Sequence, residues 1–255
     1  MIAAVVVGVL VLGQLWLMFV TIGLAILALL AAREVFDLLP QAGFPVRLLP
    51  GVIAAPVAVL AMGWDAPVVV QDARLGGWIA VFVAAVVIVL AMDALRRPEV
   101  RDGFLSWMGG VFGALYPALL AFAAGIIVVA PEVPDDALLG GFLQDGLVWL
   151  LVLVLTVWSF DTFAYLSGRT FKKGRFLNHI SPNKTWSGVI GGTVAAMIVA
   201  GALTWAAGQG FVGGLVMGLL LAIAGQSGDV AESMLKRTAG AKDSSNLIPG
   251  HGGVL

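Results

Sequence analysis

Seven long apolar stretches constrain the fold of this chain more than any other feature of its sequence. They lie at about residues 2–32, 48–64, 75–92, 104–130, 143–166, 186–206 and 210–228. Each is near or above the roughly 20 residues that an α-helix needs to cross the hydrocarbon core of a bilayer. The first stretch is long for one crossing and short for two, with a break offered at Gly13 and Gln14. The pattern predicts an all-α polytopic membrane protein with seven or eight transmembrane helices.

Composition supports the membrane class and excludes several others. Hydrophobic residues make up 60% of the chain and charged residues 11%, and the mean hydropathy of +1.04 is far outside soluble usage. A formal net charge of -1 excludes a generally basic protein that binds nucleic acid. The absence of cysteine excludes disulfides, thiolate metal sites and cysteine nucleophiles. We expect no cleavable signal, because no basic segment precedes the long apolar N-terminus.

Lysine and arginine are distributed unevenly between alternate loops. The loops that would share one side of the membrane are 33–47, 93–103, 167–185 and 229–255. That side carries every lysine and arginine except Arg74, whereas the opposite loop 131–145 carries four acidic residues and no cation. Because cytoplasmic loops retain positive charge, we predict that the four basic loops face the cytoplasm.

A first polar region follows the apolar stretch that ends near residue 166. Asp161 lies close to the end of that stretch, where an ionised carboxylate is costly and needs a partner or a function. Further on, Ser181, Lys184 and Thr185 precede a helix rich in small residues. Hydroxyls and a lysine at a helix N-terminus suit an anion site, because free backbone amides and the helix dipole favour phosphate there. The alternative is an ordinary helix cap within a basic loop.

A second polar region begins inside the last apolar stretch. On a helix, Asp229, Ser233 and Lys236 fall at i, i+4 and i+7, so they share one face, and Arg237 follows directly. That face combines a carboxylate, a hydroxyl and a cation. The alternative is a helix end whose long cationic side chains reach from the membrane to water.

The C-terminal segment is polar and rich in glycine. Lys242 and Asp243 precede His251, which is followed by Gly252 and Gly253. A glycine-rich turn allows the backbone to approach a ligand closely. Cations, a carboxylate and backbone amides together are suited to binding a metal-complexed polyphosphate.

These segments resemble the signature of the phosphatidate cytidylyltransferases, also called CDP-diacylglycerol synthases. The signature matches Ser233-Met-Leu-Lys236-Arg237, then Lys242-Asp243 after four residues, then Pro249-Gly-His251-Gly-Gly253. Other blocks similar to that family are Asp161-Thr-Phe-Ala-Tyr165, Gly168-Arg169, Ser181-Pro-Asn-Lys184-Thr-Trp186, Gly228-Asp229 and Arg33-Glu34. The chain departs from the family pattern at Asn183, where a second lysine is common, and at Ser187, where a glutamate is common. The family's motif also continues past the position of Leu255 with an Asp-Arg-x-Asp segment and a further helix.

The resemblance implies a multi-helix enzyme of the inner membrane, dimeric in the family, that joins CTP to phosphatidic acid and releases pyrophosphate with Mg²⁺. On this basis Asp229 and Asp243 are expected to coordinate Mg²⁺. The residues expected to hold phosphates are Lys236, Arg237 and Lys242, and those expected to contact nucleotide or lipid are Ser181, Lys184, Thr185, Ser233, Gly252 and Gly253. Asp161 is a further candidate for the polar cavity. His251 is expected either to bind phosphate or to shape its loop.

Two other functional classes remain open at this point. A CTP-dependent polyprenol or phytol kinase would also use CTP beside a bilayer lipid, but it would transfer the γ-phosphate. A non-enzymatic transporter would explain the helices and an intramembrane Asp161, but not polar residues clustered on one side of the membrane. We divide the chain into N-terminal membrane helices, 1–130, and a catalytic membrane region, 131–255. Small-residue faces, at Gly188, Gly191 and Gly192 or at Gly210, Gly213, Gly214 and Gly218, are suited to close helix packing.

Overall fold

The computed structural model describes residues 17–47, 51–63, 75–141, 143–177, 180–181, 183–245, 247 and 252–255. These ranges contain eight α-helices: α1 Leu17–Leu38, α2 Ala54–Gly63, α3 Leu75–Ala94, α4 Val100–Ala118, α5 Leu120–Val129, α6 Asp145–Phe171, α7 Trp186–Ala206 and α8 Phe211–Thr238. Within the described ranges there is no β-strand, and the bridge residues there include the antiparallel pair Arg175 and Thr185. The predicted all-α architecture is confirmed.

Five apolar helical stretches in the described ranges have the length and hydropathy to cross a membrane. They are Leu17–Leu38, Val100–Val129, Asp145–Phe171, Trp186–Ala206 and Phe211–Thr238. Two shorter apolar helices, Ala54–Gly63 and Ile79–Ala94, accompany them. The chain is therefore a polytopic membrane protein. The break predicted at Gly13 and Gln14 lies outside the described residues.

Three predicted boundaries differ from the helices of the structure. Helix α1 continues to Leu38 and so includes Glu34, which we had placed in a loop. Helix α6 continues to Phe171 and includes Arg169, a cation that suits the negative end of the helix dipole. The single stretch 104–130 forms two helices that meet at Leu119, two residues after Pro117, where the Leu119 N–H donates to the Tyr116 carbonyl three residues back at 3.3 Å.

The described residues form two compact units. One contains the residues up to Val129 together with Leu235–Leu255, and the other contains Ala130–Met234. We call them the first unit and the second unit. Helix α8 contributes its residues up to Met234 to the second unit and the remainder to the first. The division at residue 130 between membrane helices and a catalytic region stays a prediction.

The first unit has a core built from small side chains. Helices α1, α2, α4 and α5 meet at a cluster of buried alanines that includes Ala28, Ala55 and Ala124, with Val59 among them. Lipid tails are as apolar as the helices, so the hydrophobic effect does little to hold membrane helices together. Their association depends on close packing, which the small side chain of alanine allows. A second cluster packs Leu235 against the end of α1 at Val35, Phe36 and Leu39, and so fixes the C-terminal segment beside that helix end.

The second unit is an antiparallel set of three helices held together through glycines. A Cβ atom on Gly192 of α7 would lie 2.7 Å from the carbonyl oxygen of Phe160 in α6. A Cβ atom on Gly214 of α8 would lie 2.6 Å from the carbonyl oxygen of Ala200 in α7. Since real side chains do not tolerate such distances, glycine is what permits these helices to touch. The small-residue faces that we predicted for helix packing are thus used inside the chain.

The two ends of the second unit have opposite character. At one end, the loop before α6 meets the turn after α7, where Leu139 N–H donates to the Ala206 carbonyl at 3.0 Å and Gln209 Nε2 donates to the Glu132 carbonyl at 2.9 Å. This end carries acidic residues and no lysine or arginine. The opposite end, where α6 finishes and α7 starts, carries the polar residues described next.

Candidate active site

A polar pocket of about 760 Å³ lies in the second unit between the C-terminal half of α6, the loop before α7, and α8. Its size is that of a small-molecule site. The charged residues that line it are Asp161, Arg169, Lys172, Arg175, Lys184 and Asp229. Four cations and two carboxylates therefore face one cavity. A net positive cavity of this kind is suited to a polyanion accompanied by a metal ion.

Helix α6 supplies one wall of the pocket through a single face. Asp161, Tyr165, Gly168, Arg169 and Lys172 line the cavity, and their spacing places them on one side of the helix and its end. Tyr165 OH accepts a hydrogen bond from Arg169 Nη1 at 2.9 Å, which directs that guanidinium along the wall. The helix ends at Lys172 in the left-handed conformation, with its N–H donating to the Gly168 carbonyl.

The loop between α6 and α7 folds back on itself and so fixes Lys184. Phe176 N–H donates to the Lys184 carbonyl at 2.9 Å, and Trp186 N–H donates to the Gly174 carbonyl at 3.0 Å. The rings of Phe176 and Trp186 meet edge to face, with their centroids 4.7 Å apart. Backbone pairing on both sides of Lys184 therefore holds its side chain at the pocket.

Thr185 acts as the N-cap of α7. Its Oγ1 accepts a hydrogen bond from Gly188 N–H at 3.1 Å, and it lies 3.1 Å from Ser187 Oγ. The ordinary cap considered above is thus present, although Thr185 also lines the pocket. Contact between Thr185 and substrate stays a prediction.

Lys184 and Asp229 form an ion pair across the pocket, between Nζ and Oδ2. The carboxylate of Asp161 is close enough to be repelled by Asp229 and attracted by Lys184. Sequence analysis named Asp229 and Asp243 as metal ligands; in the structure, Asp161 lines the same pocket as Asp229, and Asp243 belongs to the first unit.

These carboxylates fit a divalent cation. Asp161 and Asp229 line one cavity, and Asp229 is paired there with the ammonium group of Lys184. Mg²⁺ takes one or two carboxylates together with water and phosphate oxygens. A set of three or more acidic or histidine side chains that could enclose a metal is absent from the described residues.

Two features of the pocket were missed by sequence analysis. Arg169, Lys172 and Arg175 were given no role in the site, although they line the pocket together with Lys184. Gln226, on α8 one turn before Asp229, also lines it, and its buried Nε2 has no hydrogen-bond partner among the described residues. The sequence contained a signal for this residue, because Gln226 is a polar side chain within an apolar stretch and lies three residues before Asp229.

The other predicted site residues that the structure describes are divided between the two units. Ser181 and Ser233 belong to the second unit but are not among the residues that line the pocket. Those that belong to the first unit are Lys236, Arg237, Lys242, Asp243, Gly252 and Gly253. Lys242 and Asp243 are exposed, and Gly252, at φ +89°, packs against Asp243. His251 lies outside the described residues.

A family model matches this chain along its whole length, and known proteins match about half of it or more. The model of the Cytidylyltransferase family matches residues 1–255. A phosphatidate cytidylyltransferase of Brucella abortus biovar 1 (strain 9-941) is 40% identical over 195 residues, covering 71% of this chain and 67% of the relative. One from Haemophilus influenzae is 37% identical over 149 residues, covering 55% and 49%. Phosphatidate cytidylyltransferase 5, chloroplastic, of Arabidopsis thaliana is 30% identical over 274 aligned positions, covering 98% and 64%.

Proposed function

This chain belongs to the cytidylyltransferase family, and we propose that it transfers the cytidylyl group of CTP to phosphatidate, giving CDP-diacylglycerol and pyrophosphate. Relatives named for this activity support the assignment. The observation that carries it in the structure is the pocket in which four cations and two carboxylates converge at the end of membrane helices. Both substrates are phosphates, and one of them resides in the bilayer.

The reaction needs positioning more than covalent catalysis. An oxygen of the phosphatidate phosphate attacks the α-phosphorus of CTP, and the bond from that phosphorus to the bridging oxygen breaks as pyrophosphate leaves. The protein must hold the two phosphates in line and neutralise the charge that collects on the transferring group. We assign this to Arg169, Lys172 and Lys184, with Arg175 at the edge of the same cavity.

Asp229 and Asp161 are our proposed metal-binding pair in the pocket, with Asp243 as the further candidate indicated by the family signature. A bound Mg²⁺ would neutralise the leaving pyrophosphate. Lys184, which pairs with Asp229, would then be released toward a phosphate oxygen. The ion pair keeps the Asp229 carboxylate turned into the pocket beforehand.

The residues of the C-terminal signature complete the proposal. Lys236, Arg237 and Lys242 are assigned to phosphate binding, Ser233, Gly252 and Gly253 to substrate contact, and His251 to phosphate binding or loop shape. Ser181 and Thr185, which precede α7, are assigned to contact with the nucleotide or lipid phosphate. These roles rest on the resemblance, and substitution of each residue tests them.

We further propose seven or eight spans in the inner membrane, with the pocket facing the cytoplasm, where CTP is present. The separation of charge between the two ends of the second unit supports this orientation. A homodimer is also part of the proposal. Crosslinking of the purified protein in detergent and in bilayers would test the dimer.

The activity is tested by incubating the detergent-solubilised protein with phosphatidic acid, Mg²⁺ and CTP radiolabelled at either the α- or the γ-phosphate. Cytidylyl transfer places α-label in a phospholipid and γ-label in pyrophosphate. A lipid kinase would instead place γ-label in lipid when polyprenol is supplied. Failure of α-label to enter phospholipid at any Mg²⁺ concentration would contradict the proposal.

A further inference from the structure

Glu34 is a buried carboxylate on α1 in the first unit, with 1% of its surface exposed. Its oxygens accept hydrogen bonds from Ser244 Oγ and Ser245 Oγ, each at 2.7 Å. They also accept from the backbone N–H of Val254, at 2.9 and 3.0 Å, and of Leu255, at 3.0 Å. Burial of a carboxylate is costly unless donors satisfy it, and here all four donor groups are neutral.

Every one of these donors comes from the C-terminal segment. Ser244 and Ser245 directly follow Asp243, whereas Val254 and Leu255 follow the Gly252-Gly253 turn. Glu34 therefore binds two parts of the chain that the sequence separates, and it does so more than 200 positions away from them. One side chain of α1 thus joins the residues that follow Asp243 to those that follow Gly253.

Gly252 and Gly253, which precede two of these donors, leave room that a side chain would occupy. A Cβ atom on Gly253 would collide with both Glu34 and Ser244 Oγ. A Cβ atom on Gly252, whose φ of +89° itself favours glycine, would lie 3.2 Å from Asp243 Cβ. Glycine at position 253 thus lets the backbone pass against Glu34, and glycine at position 252 permits the turn beside Asp243.

The direction of the neighbouring side chains follows from this contact. Ser244 is buried against Glu34, whereas Lys242 and Asp243 are exposed. The hydrogen bond from Ser244 to Glu34 fixes the backbone at Ser244, and Lys242 and Asp243 directly precede this residue with their side chains exposed. A change of about 1 Å in such a position can cost on the order of 10²-fold in rate.

We propose that Glu34 is a positioning residue, whose buried carboxylate clamps the Lys242–Asp243 segment and the Gly252–Gly253 turn in the arrangement that binds the phosphates of CTP. This inference rests on the proposed function. Glu34 acts through the hydrogen bonds it accepts and does not itself touch substrate.

Glu34→Gln tests the clamp at constant size. A carboxamide can accept at only one of its two ends, so its NH₂ group would oppose a backbone N–H of Val254 or Leu255. Ser245→Ala removes a single donor and serves as the milder variant if Glu34→Gln folds poorly. Asp37→Asn is the matched control, because Asp37 is exposed on the last turn of the same helix.

We expect KM for CTP to rise about tenfold or more in Glu34→Gln and by a smaller factor in Ser245→Ala, since hydrogen bonds to a charged group carry factors of about this size. Asp37→Asn should leave it unchanged. KM does not depend on how much of the enzyme is active, so a loss of folded protein alone would lower total rate and leave KM where it was. An unchanged KM in both clamp variants would overturn the proposal.

Hydrogen exchange separates this inference from the proposed activity. In Glu34→Gln the amides of residues 252–255 should exchange faster than in Asp37→Asn, while those of α2 stay the same. If the unsubstituted protein transfers no cytidylyl group, the proposed function fails and exchange alone decides the clamp. Equal exchange at residues 252–255 in the two variants would overturn the clamp itself.

Discussion

The ion pair between Lys184 and Asp229 is half exposed on its acidic side, where 50% of the Asp229 side chain is accessible. Exposed pairs contribute roughly 0–1 kcal/mol to folding. We therefore expect Asp229→Asn to change the thermal unfolding temperature little and to lower turnover about 10²-fold or more, because it removes a proposed ligand of the metal that would neutralise the leaving pyrophosphate. Turnover with α-labelled CTP and unfolding in the same detergent measure the two effects.

Asp136→Asn provides the control for that substitution. Asp136 is exposed in the loop before α6, at the end of the second unit away from the pocket, and the chemical change is identical. Normal turnover is expected. A near-normal rate in Asp229→Asn would remove this residue from the metal site, and an equal loss in both variants would point to a general effect of lost negative charge.

Gln226 makes a different prediction at the same scale. Its buried Nε2 has no partner among the described residues, and a buried donor left unpaired costs about 1–3 kcal/mol. Gln226→Leu should therefore keep or raise the unfolding temperature while raising KM for CTP or phosphatidate. Lower stability with unchanged KM for both substrates would show that this amide serves the fold and not the pocket.

At the level of single residues, the sequence supplied the kinds of groups but not all of their neighbours. The family resemblance suggested Asp229 and Lys184 as members of one site, and the structure pairs them. It did not place Asp161 in one pocket with Asp229, because that approach depends on tertiary packing between residues 68 positions apart on α6 and α8. Arg169, Lys172 and Arg175 received no role in the site, because positive charge in a loop beside the membrane is already explained by topology.

At the scale of helices, the glycine contacts of α7 make a prediction about packing. Gly192→Ala places a Cβ atom 2.7 Å from the Phe160 carbonyl and 3.0 Å from Ala164 Cβ. Backbone cannot yield as a flexible side chain does, so we expect a loss of about 1–3 kcal/mol in stability. Thermal unfolding in detergent measures it.

The matched control is Gly225→Ala on α8, where a Cβ atom would meet nothing within 4 Å. Alanine favours a helix over glycine by roughly 1 kcal/mol, so this variant should be as stable as the parent or more stable. Equal destabilisation in the two variants would mean that helix contact is not what glycine provides at Gly192.

Hydropathy predicted where helices exist more reliably than where they end. Apolar stretches can be recognised in a sequence because contacts with lipid and with other helices both require apolar side chains. A helix can nevertheless continue past such a stretch where its polar side chains find hydrogen-bond partners. Glu34 stays within α1 because serines and amides from the far end of the chain donate to it. Such partners are distant in sequence, and no local pattern announces them.

At the scale of the whole molecule, the charges at the two ends of the second unit indicate how that unit is oriented in the membrane. Helix α6 has 27 residues, or roughly 40 Å at 1.5 Å per residue, which is enough to separate its two ends by a bilayer. Its N-terminal end adjoins the acidic loop and its C-terminal end adjoins Lys172 and Lys173. Since positive residues are retained in the cytoplasm, the pocket end is expected to be cytoplasmic.

The absence of cysteine in the chain allows this orientation to be tested with single introduced thiols. Lys173→Cys places an exposed thiol at the pocket end without replacing a pocket-lining residue, and Leu138→Cys, at a side chain 73% exposed, places one at the opposite end. In intact cells whose outer barrier admits the reagent, an impermeant maleimide should label Leu138→Cys and spare Lys173→Cys. Both should react after the membrane is opened, which controls for thiol accessibility. The reverse pattern would place the pocket outside the cytoplasm, away from CTP, and would contradict the proposed orientation and supply of substrate together.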